Sequence, residues 1–170
     1  MPPSFSIEKL NASHAVTGFD CGSDELNRFL MRFALTSQQS DSSTTYVGLA
    51  GQSVIGFYTL AVGQVNHEDA PECLIKGLAR YPVPIMLLAR LAVSKNWQKQ
   101  KFGAGLLKDA MKRTMQAADI VGIRALAAHA KDDAAQKFYT RFDFIPSPTD
   151  PYHLLLLLKD IRKEIASISR

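Results

Sequence analysis

The sequence has almost no cysteine: Cys21 and Cys73 are the two in 170 residues. Two isolated thiols build neither a disulfide framework nor a cysteine metal site, and a reduced cytoplasmic protein is the simplest expectation. The chain also lacks a long apolar run. Leu154–Leu158 falls far short of the roughly 20 residues that span a bilayer, and MPPSFSIEKL has no apolar stretch of leader length. No Ser–His–Asp order, paired catalytic carboxylates or metal-ligand cluster stands out. Acids are missing from residues 76–94, where Lys76, Arg80 and Arg90 stand alone.

What is present is an ordinary globular composition, 46% apolar and 21% charged, in a length that suits one domain over residues 1–170. The net charge of +4 conceals an asymmetry. Residues 1–75 carry three Lys/Arg against eight Asp/Glu, whereas residues 95–141 carry ten against four. A basic half attracts polyanions such as nucleic acid or a phosphorylated cofactor; a solvated face is the other reading.

Ser4–Lys9 alternates like a short strand. Ser23 caps a helix to about Gln38, with Leu26, Phe29, Leu30, Phe33 and Ala34 on one face. Thr45–Ala50 and Ser53–Val62 form a hairpin whose Gly51-Gln52 link suits a II′ turn. Residues 64–84, with Pro71, Pro82 and Pro84, read as a connection that includes some helix. Ile85–Val93 is an apolar strand and Ala104–Ala118 a helix with a Leu106, Leu107, Ala110, Met111, Thr114, Met115 stripe. Arg124–His129, a helix capped by Asp132 or Asp133 and running to Arg141, and Tyr152–Leu158 follow. The order, strand–helix–hairpin–strand–helix–strand–helix–strand, indicates an α/β (mixed α+β) fold.

Between the apolar strand and the next helix lies QKQKFGAG, residues 98–105. A helix N-terminus behind small residues offers free N–H groups and partial positive charge to a phosphate, and Lys95, Lys99 and Lys101 add countercharge. Neither GxGxxG nor GxxxxGK[ST] is satisfied, and from the loop alone a plain turn is the simpler reading.

The longer pattern resembles a family. Arg90-Leu91-Ala92-Val93 followed by Gln100-x-x-Gly103-x-Gly105 is similar to motif A of the GNAT acetyl-CoA-dependent N-acetyltransferases, and Asp133-Ala134-Ala135-Gln136-Lys137-Phe138-Tyr139 resembles the family's later helix. Two departures stand out. Lys99 and Lys101 occupy places where many members have Gly, and Arg141-Phe142-Asp143-Phe144 replaces a Gly-Phe. Phe19-Asp20-Cys21-Gly22 with Leu26-Asn27-Arg28-Phe29-Leu30, then Gly56-Phe57-Tyr58-Thr59-Leu60 and Pro82-Val83-Pro84-Ile85, narrow the likeness to GNAT toxins of bacterial toxin–antitoxin modules.

The resemblance implies a GNAT fold, a central mixed β-sheet flanked by helices. It implies acetyl-CoA as cofactor, cradled by Leu91, Ala92, Val93, Gln98, Lys99, Gln100, Lys101, Phe102, Gly103, Ala104, Gly105, Asp133 and Phe138. It also implies acetylation of the α-amine of aminoacyl-tRNA, a ribbon-helix-helix antitoxin that brings operator DNA, and a homodimer. Acceptor rivals are a protein or small-molecule amine, and a rival of another class is a non-catalytic coenzyme- or nucleic-acid-binding module. Tyr139 is the expected proton donor, a core aromatic being its structural reading. The Val93 N–H is the expected donor to the thioester carbonyl. Arg90 and Lys95 are the expected substrate contacts among the bases able to hold RNA phosphates. His129 ranks lower as a base, and Cys21 reads as a small buried residue.

Overall fold

The computed structural model describes residues 5–168. Ser4, the first residue of the expected first strand, lies outside them. The chain forms two compact units. The first runs to Ala61 and adds Ala89–Ala110; the second comprises Val62–Leu88 and the chain from Met111 onward.

In the first unit β1 (Phe5–Lys9) pairs antiparallel with β2 (Thr44–Ala50), and β2 with β3 (Ser53–Val65). Of the two hairpin residues only Gly51 has positive φ, at 61°, as a II′ and not an I′ turn requires. The first helical segment is α1 (Asp24–Arg28), a π-helical turn over Phe29–Phe33, and α2 (Ala34–Gln39). Ser23 caps it by accepting the Leu26 N–H, and Asp24 and Glu25 fill its positive first turn. The Ala34 N–H reaches back five residues to the Phe29 carbonyl. That insertion shifts the helical phase. Phe29, Leu30 and Ala34 are buried, but Phe33, expected on the same face, is 54% exposed. The core here joins Phe19, Phe29, Leu30, Val47, Phe57 and Ala92.

β4 (Val83–Val93) and α4 (Phe102–Ala118) run through both units. On α4 the expected stripe holds: Leu106, Leu107, Ala110, Met111 and Thr114 are buried. The helix begins two residues earlier than Ala104, which puts Gly103, Ala104 and Gly105 in its first turn.

In the second unit residues 64–84 contain the end of β3, a 3-10 turn (His67–Asp69) and α3 (Glu72–Ile75). β4 pairs parallel with β5 (Ala125–His129), and α5 (Asp133–Thr140) follows. β6 (Ile145–Ser147) and β7 (Asp150–Leu157) form a hairpin, with β7 antiparallel to β5. Strand pairing follows the order β1-β2-β3-β4-β5-β7-β6. Val65, Leu74, Ile85, Ala125, Ala127 and Leu155 make the core of this unit.

One element was not anticipated. Leu158 is the first residue of α6 (Leu158–Ile168), not the last of a strand. The leucine run hides the change of period: Ile161 is buried and Ile165 half-buried one turn later, while Lys159, Arg162 and Lys163 are exposed.

Candidate active site

β4 is where the site starts. Its ladder with β5 covers Ile85–Leu88 against Ala125–Ala128 and stops there. Near the far end of β4 the Ser94 N–H donates to the Ile55 carbonyl of β3 at 2.7 Å. Strand alternation turns the Val93 N–H toward the opposite edge of β4. The Val93 carbonyl accepts the Gln98 side-chain amide at 2.9 Å, and the same amide donates to the Cys21 carbonyl at 3.0 Å. Gln98 therefore ties the loop to the strand end. Gln100 does similar work inside the loop, donating to the Asn96 carbonyl at 3.2 Å.

Lys99 and Lys101 have φ of 62° and 70°. This is the left-handed conformation that glycine adopts freely and that other L-residues adopt at a cost. The chain keeps the glycine-like backbone at both places and puts lysine there, with both side chains exposed. Phe102 packs against Phe5 and Trp97, with ring centroids 5.0 and 5.5 Å apart, and so anchors the start of α4. The first bond of the turn joins the Gly105 N–H to the Lys101 carbonyl at 3.1 Å. By helix geometry the N–H groups of Phe102, Gly103 and Ala104 have no acceptor within the helix. Small residues, free donors and two cations at one helix end fit a pyrophosphate. The fit rests on backbone N–H and lysine charge; the Gln98 and Gln100 amides are engaged within the loop.

Both expected substrate cations have partners in the same unit. The half-buried Arg90 guanidinium lies 3.6 Å over the Phe29 ring, a cation–π contact supplied by the π-helical turn. Lys95 Nζ lies 3.4 Å from Asp20 Oδ2. Hydrogen bonds from the Gly22 N–H and the Asn27 amide, with Lys95 contributing less, hold the Asp20 carboxyl below its ordinary range.

Tyr139, Phe138 and Asp133 belong to the second unit. Asp132, not Asp133, caps α5, accepting the Ala135 N–H at 2.8 Å. Asp133 instead accepts the Tyr152 hydroxyl. Phe138 is half-buried between Tyr139 and Phe142. Tyr139 is 7% exposed, its ring 5.2 Å from Phe144. Burial pushes its phenol well above the ordinary tyrosine range, so it remains protonated and suits a donor's role, not a base's. His129 is exposed and stacks on His153 across the β5–β7 register, centroids 4.1 Å apart. Among the described residues the buried Nε2 of His153 has no hydrogen-bond partner.

Residues 41–146 match the family model described as an acetyltransferase (GNAT) domain. The chain belongs to the GNAT acetyltransferases. It is similar to the "tRNA-acetylating toxin" of Mycobacterium tuberculosis, with 43% identity over 91% of this chain and 92% of the relative. Among solved structures it is similar to AtaT complexed with acetyl-methionyl-tRNAfMet (TM-score 0.87, 28% identity, covering 94% of this chain and 98% of that one). It is also similar to a tyrosine-to-phenylalanine mutant of AtaT bound to the C-terminus of the antitoxin AtaR and acetyl-CoA (TM-score 0.81, 27% identity, 94% and 96% covered).

In this GNAT chain the strand end, the loop, Arg90 and Lys95 fall in one continuous stretch, Arg90–Gly105, within the first unit, while α5 carries Tyr139 in the second. Sequence reasoning missed Phe29 as the seat of Arg90, Asp20 as the partner of Lys95, and the His129–His153 pair. The first two join residues about 60 to 75 positions apart, and the third depends on a cross-strand register. None leaves a local periodic signal.

Proposed function

We propose that the chain is an acetyl-CoA-dependent N-acetyltransferase toxin that acetylates the α-amine of aminoacyl-tRNA and is neutralised by a ribbon-helix-helix antitoxin. The observation that carries this is the 43% identity along nearly the whole chain to a tRNA-acetylating toxin. The reading takes residues 1–170 as one domain, acting in the cytoplasm as a homodimer. No helix among the described residues is long and apolar enough to cross a membrane, which accords with an acceptor in solution.

In this reading the N–H groups at the start of α4, with Lys99 and Lys101, hold the coenzyme pyrophosphate, and the edge of β4 from Leu91 to Val93, beyond its ladder with β5, pairs with its pantetheine arm. The Val93 N–H polarises the thioester carbonyl. A free α-amine titrates near 7.7–8.0 and its ester form lower, so a neutral nucleophile needs no strong base. The amine nitrogen bonds to the acyl carbon as the carbon–sulfur bond breaks. Tyr139 gives its phenolic proton to the departing sulfur, and the proton shed by the amine restores the phenol through solvent. Arg90 and Lys95, held by Phe29 and Asp20, bear on the acceptor's phosphates.

The experiment is transfer of labelled acetyl from acetyl-CoA to charged tRNA. Wild-type chain is expected to label charged tRNA, and Tyr139→Phe to lower kcat by about 10²- to 10³-fold while acetyl-CoA still raises its melting temperature. Label on protein or small amines but never on charged tRNA would replace the acceptor. Full activity in Tyr139→Phe would remove the proton donor.

A further inference from the structure

Eight large hydrophobic side chains are exposed among the described residues, and two of them, Leu78 and Tyr81, line one groove of the second unit. Leu78 (38% exposed) and Tyr81 (75%) lie on the segment between α3 and β4; Ile120 (85%) and Val121 (53%) lie between α4 and β5. A backbone bond from the Arg124 N–H to the Pro84 carbonyl, 2.9 Å, ties the two segments together. Leu78 and Tyr81 on one side and Gly122 and Arg124 on the other bound a groove of about 380 Å3 floored by Val83 and Ile123, and Ile120 and Val121 immediately precede Gly122 in the chain. Ile123 and Arg124 also border a second hollow of about 360 Å3, whose wall includes Lys159 and Arg162 of α6 and no acidic residue. The Arg124 guanidinium is set in place by donating to the Leu74 carbonyl at 3.0 Å. None of these three cations is ion-paired among the described residues.

We propose that this surface docks an acidic amphipathic segment of a protein partner, its apolar side chains in the groove and its carboxylates on Arg124, Lys159 and Arg162. An exposed apolar groove of this kind marks a protein contact, and three cations that no carboxylate pairs among the described residues call for an anionic partner. Nucleic acid would meet the cations and leave the apolar groove unused. Under the toxin reading, on which the partner's identity rests, the segment belongs to the antitoxin. Arg124 immediately precedes β5, and α5 with Tyr139 follows that strand's other end, so this contact is separate from the proton donor.

The test uses full-length chains and the purified ribbon-helix-helix antitoxin that the toxin reading assigns to this chain. The triple variant Tyr81→Ser, Lys159→Glu, Arg162→Glu changes exposed side chains only. Calorimetry is expected to show antitoxin affinity at least about tenfold weaker, with charged-tRNA acetylation retained and growth arrest no longer relieved by co-expression. Unchanged affinity in a chain that labels charged tRNA would overturn this inference alone. A raised KM for charged tRNA with antitoxin affinity intact would assign the surface to RNA. A concentration-dependent dimer lost in the variant, with antitoxin affinity intact, would assign it to a second copy. A wild-type chain that neither labels charged tRNA nor binds the antitoxin would sink the toxin reading and this inference together.

Discussion

Replacing Lys99 and Lys101 separates what their backbone does from what their charge does. Both residues sit at positive φ, 62° and 70°, which costs an L-residue roughly 1–2 kcal/mol. Glycine removes that strain, while its extra freedom in the unfolded chain costs about 0.5–1 kcal/mol. The double Lys→Gly variant should therefore be as stable as wild type or slightly more so. The double Lys→Ala variant keeps the strain and loses the same two charges, so it isolates the conformational effect. Glycine should exceed alanine by about 1 kcal/mol at each position, or about 2 kcal/mol for the pair. For a chain of this length that is about 4–8 °C in melting temperature. Coenzyme affinity gives the second readout. If the lysine charges act on the pyrophosphate, both double variants bind acetyl-CoA about two- to fivefold more weakly per charge at low salt, with the deficit shrinking at high salt. Scanning calorimetry and titration with acetyl-CoA measure both quantities. Equal melting temperatures for the two variants would refute the strain argument, and unchanged acetyl-CoA affinity in both would refute the charge argument.

Gly56→Ala is expected to cost about 1–3 kcal/mol in urea unfolding, because a Cβ there would stand 2.8 Å from Leu106 Cδ1 and 2.9 Å from the Ala92 carbonyl of β4, a backbone atom that cannot turn aside. An unchanged midpoint would contradict that packing. Burial, and then repulsion from His129, lowers the pKa of His153 from its ordinary 6.5, against a partial opposing pull from Asp150 and Asp69. A depressed folded-state pKa contributes stability that is full above 6.5 and is lost as pH falls through the folded value. His153→Gln should flatten the fall in stability between pH 7 and 5, as measured by urea midpoints, and an unaltered slope would contradict this.

The elements legible in the sequence are those whose signal is local and periodic. The α4 stripe, the Gly51 turn, and the Ser23 and Asp132 caps each depend on residues within a turn or two of one another. The misplacements share a different cause. Phe33 faces outward because one π-helical turn moves the phase by a residue, and a phase slip in five residues does not disturb the composition. α6 was hidden because five leucines satisfy strand and helix equally, so only Ile161 and Ile165, beyond the run, reveal the longer period. At the candidate site the loop itself was legible, and what positions it was not. Phe29 under Arg90 and Asp20 beside Lys95 are tertiary contacts, as is Tyr58, whose hydroxyl donates to Asp109 of α4 at 2.6 Å.

The start of α4 breaks two local rules at once, and this sets it apart from the other helix starts. α1 opens with a serine cap and two acids, and α5 with an aspartate cap and Asp133, as the positive end of a helix dipole prefers. α4 has no acid in its first turn and is preceded by two lysines, whose like charge disfavours a helix by a few tenths to about 1 kcal/mol. Those lysines also occupy left-handed backbone where glycine would relieve the strain. Neither cost helps the fold: Gly-Gln-Gly in place of Lys-Gln-Lys would turn the same corner. Rule-breaking of this kind is tolerated where it serves a site. The feature that makes both exceptions useful together is an anion at the helix N-terminus, which the dipole, the free N–H groups and the two ammonium groups would all favour. The departure from the glycines usual in the family is therefore an argument for coenzyme binding at this loop.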